Sequence, residues 1–230
     1  MNVSSEWIGI GIVLVLLCSL IGMLHFLAER YQIRTETSRK TVHVTMGMVS
    51  MTFPWIFESA WPVLIICVSA FVVLAALRWI PALTKTAGSV LRGVGRNSMG
   101  ELCFPAAVAV LFLLSNGNPI YYCIPLIYLT IGDAAAAVVG TRYGSVCYEA
   151  PGGMKSLQGS CALFIVGLAG TYFPVVYFLA LSHLEAIVIA VTLAIFVTLL
   201  EAIAWRGLDN LLIPLGGFFL LNTLLEVIST

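Results

Sequence analysis

Apolar residues in this chain come in long unbroken runs, with neither the alternation of a half-buried strand nor the one-sided stripe of a soluble helix. The runs cover 7–28, 41–57, 60–80, 102–115, 119–139, 157–181, 186–205 and 211–228. A helix that is apolar all round has no water-facing side, and about 20 such residues cross the hydrocarbon of a bilayer. The pattern predicts an all-α, polytopic membrane protein of about seven or eight transmembrane helices, with several short, tilted or re-entrant because their runs fall below that length. No linker, low-complexity stretch or strong internal repeat interrupts the pattern. Residues 1–230 are therefore expected to form a single integral-membrane domain.

Composition agrees, with 60% hydrophobic and 10% charged residues against roughly 25% charged in an average soluble domain. The sparse charges fall in a pattern. Arg30, Arg34, Arg39 and Lys40, then Arg78, Lys85, Arg92 and Arg96, then Arg142 and Lys155, then Arg206 occupy alternate loops and exhaust the 11 Lys and Arg of the chain. The other face carries both termini and only Glu6, Glu58, Glu185 and Glu226. Positive charge is retained on the cytoplasmic side, so the basic loops are expected there and the termini opposite. The first apolar run lacks a basic lead and a small-residue cleavage site, which predicts a retained helix. The six cysteines form no CxxC pair and mostly lie in apolar runs, where they read as packing residues. A formal net charge of +0 argues against a nucleic-acid partner.

Against this background the ionisable residues inside or beside the apolar runs stand out. Asp133 lies within the fifth run, and a carboxylate there costs roughly 3 kcal/mol or more to insert, which marks a functional position unless it is paired inside a bundle. It opens a stripe of small residues, Gly132, Ala136, Gly140 and Gly144, at the spacing that lets a backbone or a ligand approach closely. Arg39, Lys40 and His43 share one flank of a helix at the start of the second run, placing two cations and a titratable ring together. Lys155, Ser156, Gly159 and Ser160 follow the Pro151-Gly152-Gly153 segment in a glycine-rich loop. Ser156 can cap the helix that begins there, whose N–H groups with Lys155 would attract an anion. The loop is not a GxxxxGK[ST] phosphate loop. Glu201 sits about a turn inside the seventh run, Asp209 and Asn210 head the last, and Glu101 stands at the mouth of the fourth. Carboxylates that hold a hard cation, together with cations and helix heads that hold phosphate oxygens, make up the inventory of a magnesium-dependent nucleotide site. At the membrane boundary such a site implies one soluble and one lipidic substrate.

These elements resemble the polyprenol kinase family, which includes dolichol kinase, phytol kinase and the CTP-dependent diacylglycerol kinases. Arg39-Lys40-x-x-His43 matches the family's RKxxH element, Asp133-x-x-Ala136-x-x-x-Gly140-x-x-x-Gly144 its DxxAxxxGxxxG element, and Glu201 with Asp209-Asn210-Leu211-x-x-Pro214 its E...DNLxxP element. Lys155-Ser156-Leu157-Gln158-Gly159-Ser160 stands where the family has KTxEGS, with Gln158 in place of glutamate. The matches run in the family's order over roughly residues 36 to 215.

The resemblance implies an all-helical membrane enzyme that transfers the γ-phosphate of CTP to a lipid alcohol at the cytoplasmic leaflet. The alcohols it suggests are phytol, geranylgeraniol, farnesol or a short polyprenol, with diacylglycerol open. It also implies a division of labour. Mg²⁺ would be held by Asp133, Asp209 and Glu201. The nucleotide would be held by Arg39, Lys40, Lys155, Ser156, Gly159, Ser160, Gly140, Gly144 and Asn210. His43 or Glu101 would act on the lipid hydroxyl beside Asp133. The expected partners are CTP, the lipid alcohol and surrounding membrane lipid, with a second copy of the chain left open. A phosphatidate cytidylyltransferase of the CDP-diacylglycerol synthase kind is the alternative within this kinship, but its long C-terminal signature is missing. An ion-coupled transporter is the alternative from another class. Its ionisable groups would tend to lie near the bilayer midplane, whereas these collect towards one face.

Overall fold

The computed structural model describes residues 3–33, 35–80 and 99–229. Arg34, Lys85, Arg92 and Arg96 of the basic loops lie outside the described residues. The chain forms α1 (Val3–Arg30), α2 (Thr35–Met51), α3 (Phe53–Ile56), α4 (Ala60–Trp79), α5 (Gly100–Leu114) and α6 (Pro119–Ile127). A π turn (Tyr128–Gly132) joins α6 to α7 (Asp133–Tyr143), and a hairpin of β1 (Cys147–Ala150) and β2 (Gly153–Ser156) precedes α8 (Leu157–Leu179), α9 (His183–Ile203) and α10 (Asp209–Ser229). Among the described residues, six stretches are long and apolar enough to span a bilayer: Ser5–Arg30, Ala60–Trp79, Pro119–Tyr143, Leu157–Leu179, His183–Ile203 and Asp209–Ile228, with Gly100–Leu114 as a shorter seventh. In lipid, a helix satisfies every backbone N–H and C=O within one segment, which is why apolar runs of this length take no other form. The architecture is the expected polytopic all-α membrane protein, with one small hairpin added.

The second predicted run differs from its expectation. Its helix begins at Thr35, before the apolar residues, and stops at Met51; the short α3 follows. Pro54 stands at the head of α3, where a residue without an N–H fits a helix start but not a helix interior. α2 also carries Arg39, Lys40 and His43 along its first half, and it is not among the stretches apolar enough to span by composition.

The chain packs as two compact units, residues 1–117 and 118–230. In the first, α4 packs on α5, while α1 packs on α2 and α4. Val13, Val63, Ile66, Ala107, Val108 and Leu111 fill the interior. Ser59, the residue before α4, donates to the buried Glu6 carboxylate at 2.6 Å. Beside it the Trp7 and Trp61 rings lie 5.0 Å apart. Together these tie the head of α1 to the head of α4.

In the second unit α8 packs against both α7 and α9, and α10 against α9 and α6. Tyr122, Leu126, Leu163, Leu193, Ile213 and Leu221 are fully enclosed. Tyr128 is enclosed as well, with its hydroxyl 3.0 Å from Thr171 Oγ1, so its one polar atom is satisfied. Ser182 and Glu185 form a capping box at the head of α9, and Asn118 accepts from the Ile120 N–H at 3.0 Å to start α6. The other end of α9 meets the hairpin.

Candidate functional site

The hairpin that precedes α8 has one face against the helices. Tyr148 pairs with Lys155 across the strands, and both are half-buried, while Cys147, Glu149 and Met154 are exposed. The Tyr148 hydroxyl lies 2.7 Å from Ser160 Oγ on α8. At the hairpin tip, a Cβ on Gly152 would come within 2.8 Å of the Ala204 carbonyl oxygen, so a side chain there would push the tip off the end of α9. Lys155 projects from the same face onto α9. Its ammonium donates to the Glu201 carboxylate at 2.6 Å and also to the Glu201 backbone carbonyl.

That ion pair is the centre of a larger charged group. Glu201, 8% exposed, lies in the last turn of α9, and the negative charges of Asp133 and Asp209 are near enough to act on it. Asp133, 7% exposed, is the first residue of α7, and its N–H closes the π turn by donating to the Tyr128 carbonyl. Single π turns inside α-helices recur at functional positions. Asp209 opens α10, where its Oδ1 accepts from the Asn210 N–H at 3.0 Å; Asn210, itself buried, donates through Nδ2 to the Gly207 carbonyl at 3.4 Å. Glu201 thus meets Lys155 directly, while the carboxylates that head two other helices, Asp133 and Asp209, lie close enough to act on it electrostatically.

The head of α8 is stitched to its surroundings in a way that limits what it can offer an anion. Ser156 caps the helix as its sequence suggested, accepting from the Gly159 N–H at 3.2 Å. The Leu157 N–H donates to the Val146 carbonyl at 2.9 Å. Gly140, Gly144 and Gly159 lie in the close approach of α7 to α8. A Cβ on Gly159 would stand 2.7 Å from the Ala136 carbonyl oxygen, and one on Gly140 would stand 2.9 Å from Ser156 Oγ. The small-residue stripe therefore faces another backbone, the commoner use of such stripes.

The remaining candidates belong to the first unit. Arg39 and Lys40 are half-buried on α2, and the His43 ring meets the Phe104 ring of α5 edge-on at 4.9 Å. One turn before Phe104, Glu101 pairs with Arg78 of α4 at 3.6 Å. Arg78, Phe104 and Tyr148 take part in these arrangements but were not singled out by the sequence. Arg78 reads there only as a membrane-edge anchor, and an aromatic partner within an apolar run carries no separate signal.

Among the described residues, no three His, Cys, Asp or Glu side chains converge tightly enough to hold a metal by themselves. Mg²⁺ seldom asks for that, since it usually keeps waters and takes one or two carboxylates plus substrate phosphates. Asp133 and Asp209, which head α7 and α10, are carboxylates that could meet such an ion beside substrate phosphates.

Comparison with known proteins gives two relatives. A phytol kinase from Synechocystis sp. is 29% identical over 213 residues, covering 92% of this chain and 89% of its own. A probable chloroplastic phytol kinase from Triticum aestivum is 28% identical over 220 residues, covering 86% of this chain and 70% of its own. No family model and no solved structure matches. In its ordered motifs, and along nearly its whole length, the chain is similar to proteins of the polyprenol kinase family.

Proposed function

We propose that this protein is a membrane-embedded kinase that phosphorylates a prenyl alcohol of the phytol class, with CTP as donor and its site open to the cytoplasm. The observation that carries the reading is the Lys155–Glu201 ion pair, within electrostatic reach of Asp133 and Asp209, in a chain that aligns with a phytol kinase over 92% of its length. An ammonium has three donors. Lys155 directs two of them at Glu201, which leaves the third for a phosphate oxygen and holds the charge in place meanwhile. Asp133 and Asp209 would hold Mg²⁺, which when bound neutralises charge on the β- and γ-phosphates. The resemblance adds Arg39 and Lys40 of the first unit to the candidate phosphate-binding residues. Asn210 and Ser160 would shape the nucleotide's surroundings, while Ser156, Gly140, Gly144 and Gly159 serve it indirectly by letting α7 and the head of α8 pack closely.

In the reaction, the hydroxyl oxygen of the alcohol bonds to the γ-phosphorus while the bridging β–γ oxygen leaves with CDP. The resemblance offers His43 and Glu101, both of the first unit, as candidates to take the hydroxyl proton. Glu101 already shares its charge with Arg78, so comparing His43→Ala with Glu101→Gln at saturating CTP separates the two. Loss of the true base lowers kcat by roughly 10² to 10⁴.

The test is product analysis of the purified protein with magnesium and labelled CTP, offered phytol, geranylgeraniol, farnesol, a short polyprenol and diacylglycerol. The expected products are CDP and a prenyl monophosphate. Pyrophosphate with a CDP-linked lipid would identify a cytidylyltransferase instead, diacylglycerol as the sole acceptor would reassign the substrate, and a strong preference for ATP would overturn the donor. Ion flux in liposomes without CTP consumption would replace the enzyme with a transporter.

A further inference from the structure

Gln158 occupies the position where the resembled motif carries glutamate, and the proposed chemistry gives it no task. Its Oε1 accepts from the N–H of Ser145 at 3.2 Å and of Val146 at 3.3 Å, and its Nε2 donates to Ser145 Oγ at 2.5 Å. Two backbone donors facing one end of the amide fix its orientation, because an amide nitrogen cannot accept. Residues 144–146 carry the chain from α7 into β1, outside helix and strand. Gln158 therefore supplies backbone partners that secondary structure does not provide there. The Val146 carbonyl accepts from Leu157 at 2.9 Å, so this connection is held from both sides by the first turn of α8. The register of the hairpin follows from where that connection is fixed, and Lys155 lies in that register, opposite Tyr148.

We propose that Gln158 is a positioning residue: it clamps the α7–β1 connection to the head of α8 and thereby sets the hairpin so that Lys155 meets Glu201. The functional half of this inference rests on the reading of Lys155 as a phosphate ligand. A carboxylate at the same place accepts the same two N–H groups and takes the Ser145 hydroxyl as a donor. Glutamine and glutamate are thus interchangeable as the clamp, and no charge or proton transfer is asked of this position. Alanine supplies neither acceptor.

The experiment compares wild type, Gln158→Ala and Gln158→Glu in nanodiscs, by amide hydrogen exchange and by kinetics with CTP and phytol. Gln158→Ala is expected to speed exchange across residues 144–156 about tenfold, the scale of a lost hydrogen bond, while the core of α9 stays protected. It should raise the KM for CTP about fivefold or more, with kcat changed less than about threefold, the signature of weakened nucleotide binding. Gln158→Glu should restore both readings to within about twofold of wild type. Wild-type exchange at 144–156 in the alanine variant, or a glutamate variant that exchanges like alanine, would overturn the clamp. Faster exchange with unchanged kinetics would overturn its positioning role. A wild-type protein inactive on every alcohol would sink the kinase reading alone, and the exchange comparison would still decide the clamp.

Discussion

Asp133 combines three properties: it lies in a membrane span, it is almost fully enclosed, and it follows directly on a π turn. Replacing it with asparagine removes a charge where the neutral amide is easier to bury. Asp133→Asn is therefore expected to abolish turnover while leaving the thermal midpoint unchanged or higher, by up to the few kcal/mol of the carboxylate's insertion cost. An Asn variant with wild-type turnover would reduce Asp133 to a packing residue. Lys155 and Glu201 call for a different experiment because they neutralise each other. Lys155→Met leaves the Glu201 carboxylate beside Asp133 and Asp209 without its cation, and should cost about 3 kcal/mol, as breaking one side of a buried pair does. Adding Glu201→Leu should recover most of that stability and none of the activity. A double variant as unstable as the single one would show that the pair is not what holds the hairpin down. Asp133 and Glu201 were legible in the sequence because a carboxylate within an apolar run has few innocent explanations. The Lys155–Glu201 pair was not, since its partners lie far apart along the chain and each already had a local reading, as phosphate ligand and as metal ligand.

The long helices were legible because lipid leaves the backbone no other way to satisfy itself. The hairpin was not, because its strands are four residues each, too short for alternation to show, and Pro151-Gly152-Gly153 reads equally well as an open loop. The π turn has the same apolar composition as the helix round it and leaves no trace in the sequence. The small-residue stripe was visible, but whether a backbone or a ligand would approach it was not. The close approach of α7 to α8 gives a direct test. Gly159→Ala would place a methyl group 2.7 Å from the Ala136 carbonyl and should destabilise the protein by about 1–3 kcal/mol, as overpacking does. At Gly22 of α1 a Cβ meets nothing within 4 Å, so Gly22→Ala should be neutral, or stabilising by about 0.5–1 kcal/mol. Thermal midpoints in detergent check both. Equal behaviour of the two variants would mean that α7 and α8 do not touch as described.

At the scale of the molecule, the described residues include six long spans and one shorter apolar helix, with α2 charged at its head and broken at Thr52. The proposed orientation puts the hairpin in the cytoplasm and the turn after α5 on the opposite side. In a cysteine-free background, Asn116→Cys should react with an impermeant maleimide on intact cells, and Glu149→Cys only after permeabilisation. The reverse pattern would invert the topology. Within the span Pro119–Tyr143 the chain does not keep a single phase. The π turn holds one residue more than an α turn would, and each residue advances a helix by about 100°. The half before it turns Tyr122 and Leu126 into the core, and the half after it turns the small residues of α7 towards α8. The span thus works as two helical segments aimed independently, with Asp133 the first residue of the second. Loss or gain of one residue in the turn would rotate the carboxylate by about 100° while leaving a continuous hydrogen-bonded helix. The number of residues in this segment, more than their identity, determines where the carboxylate points.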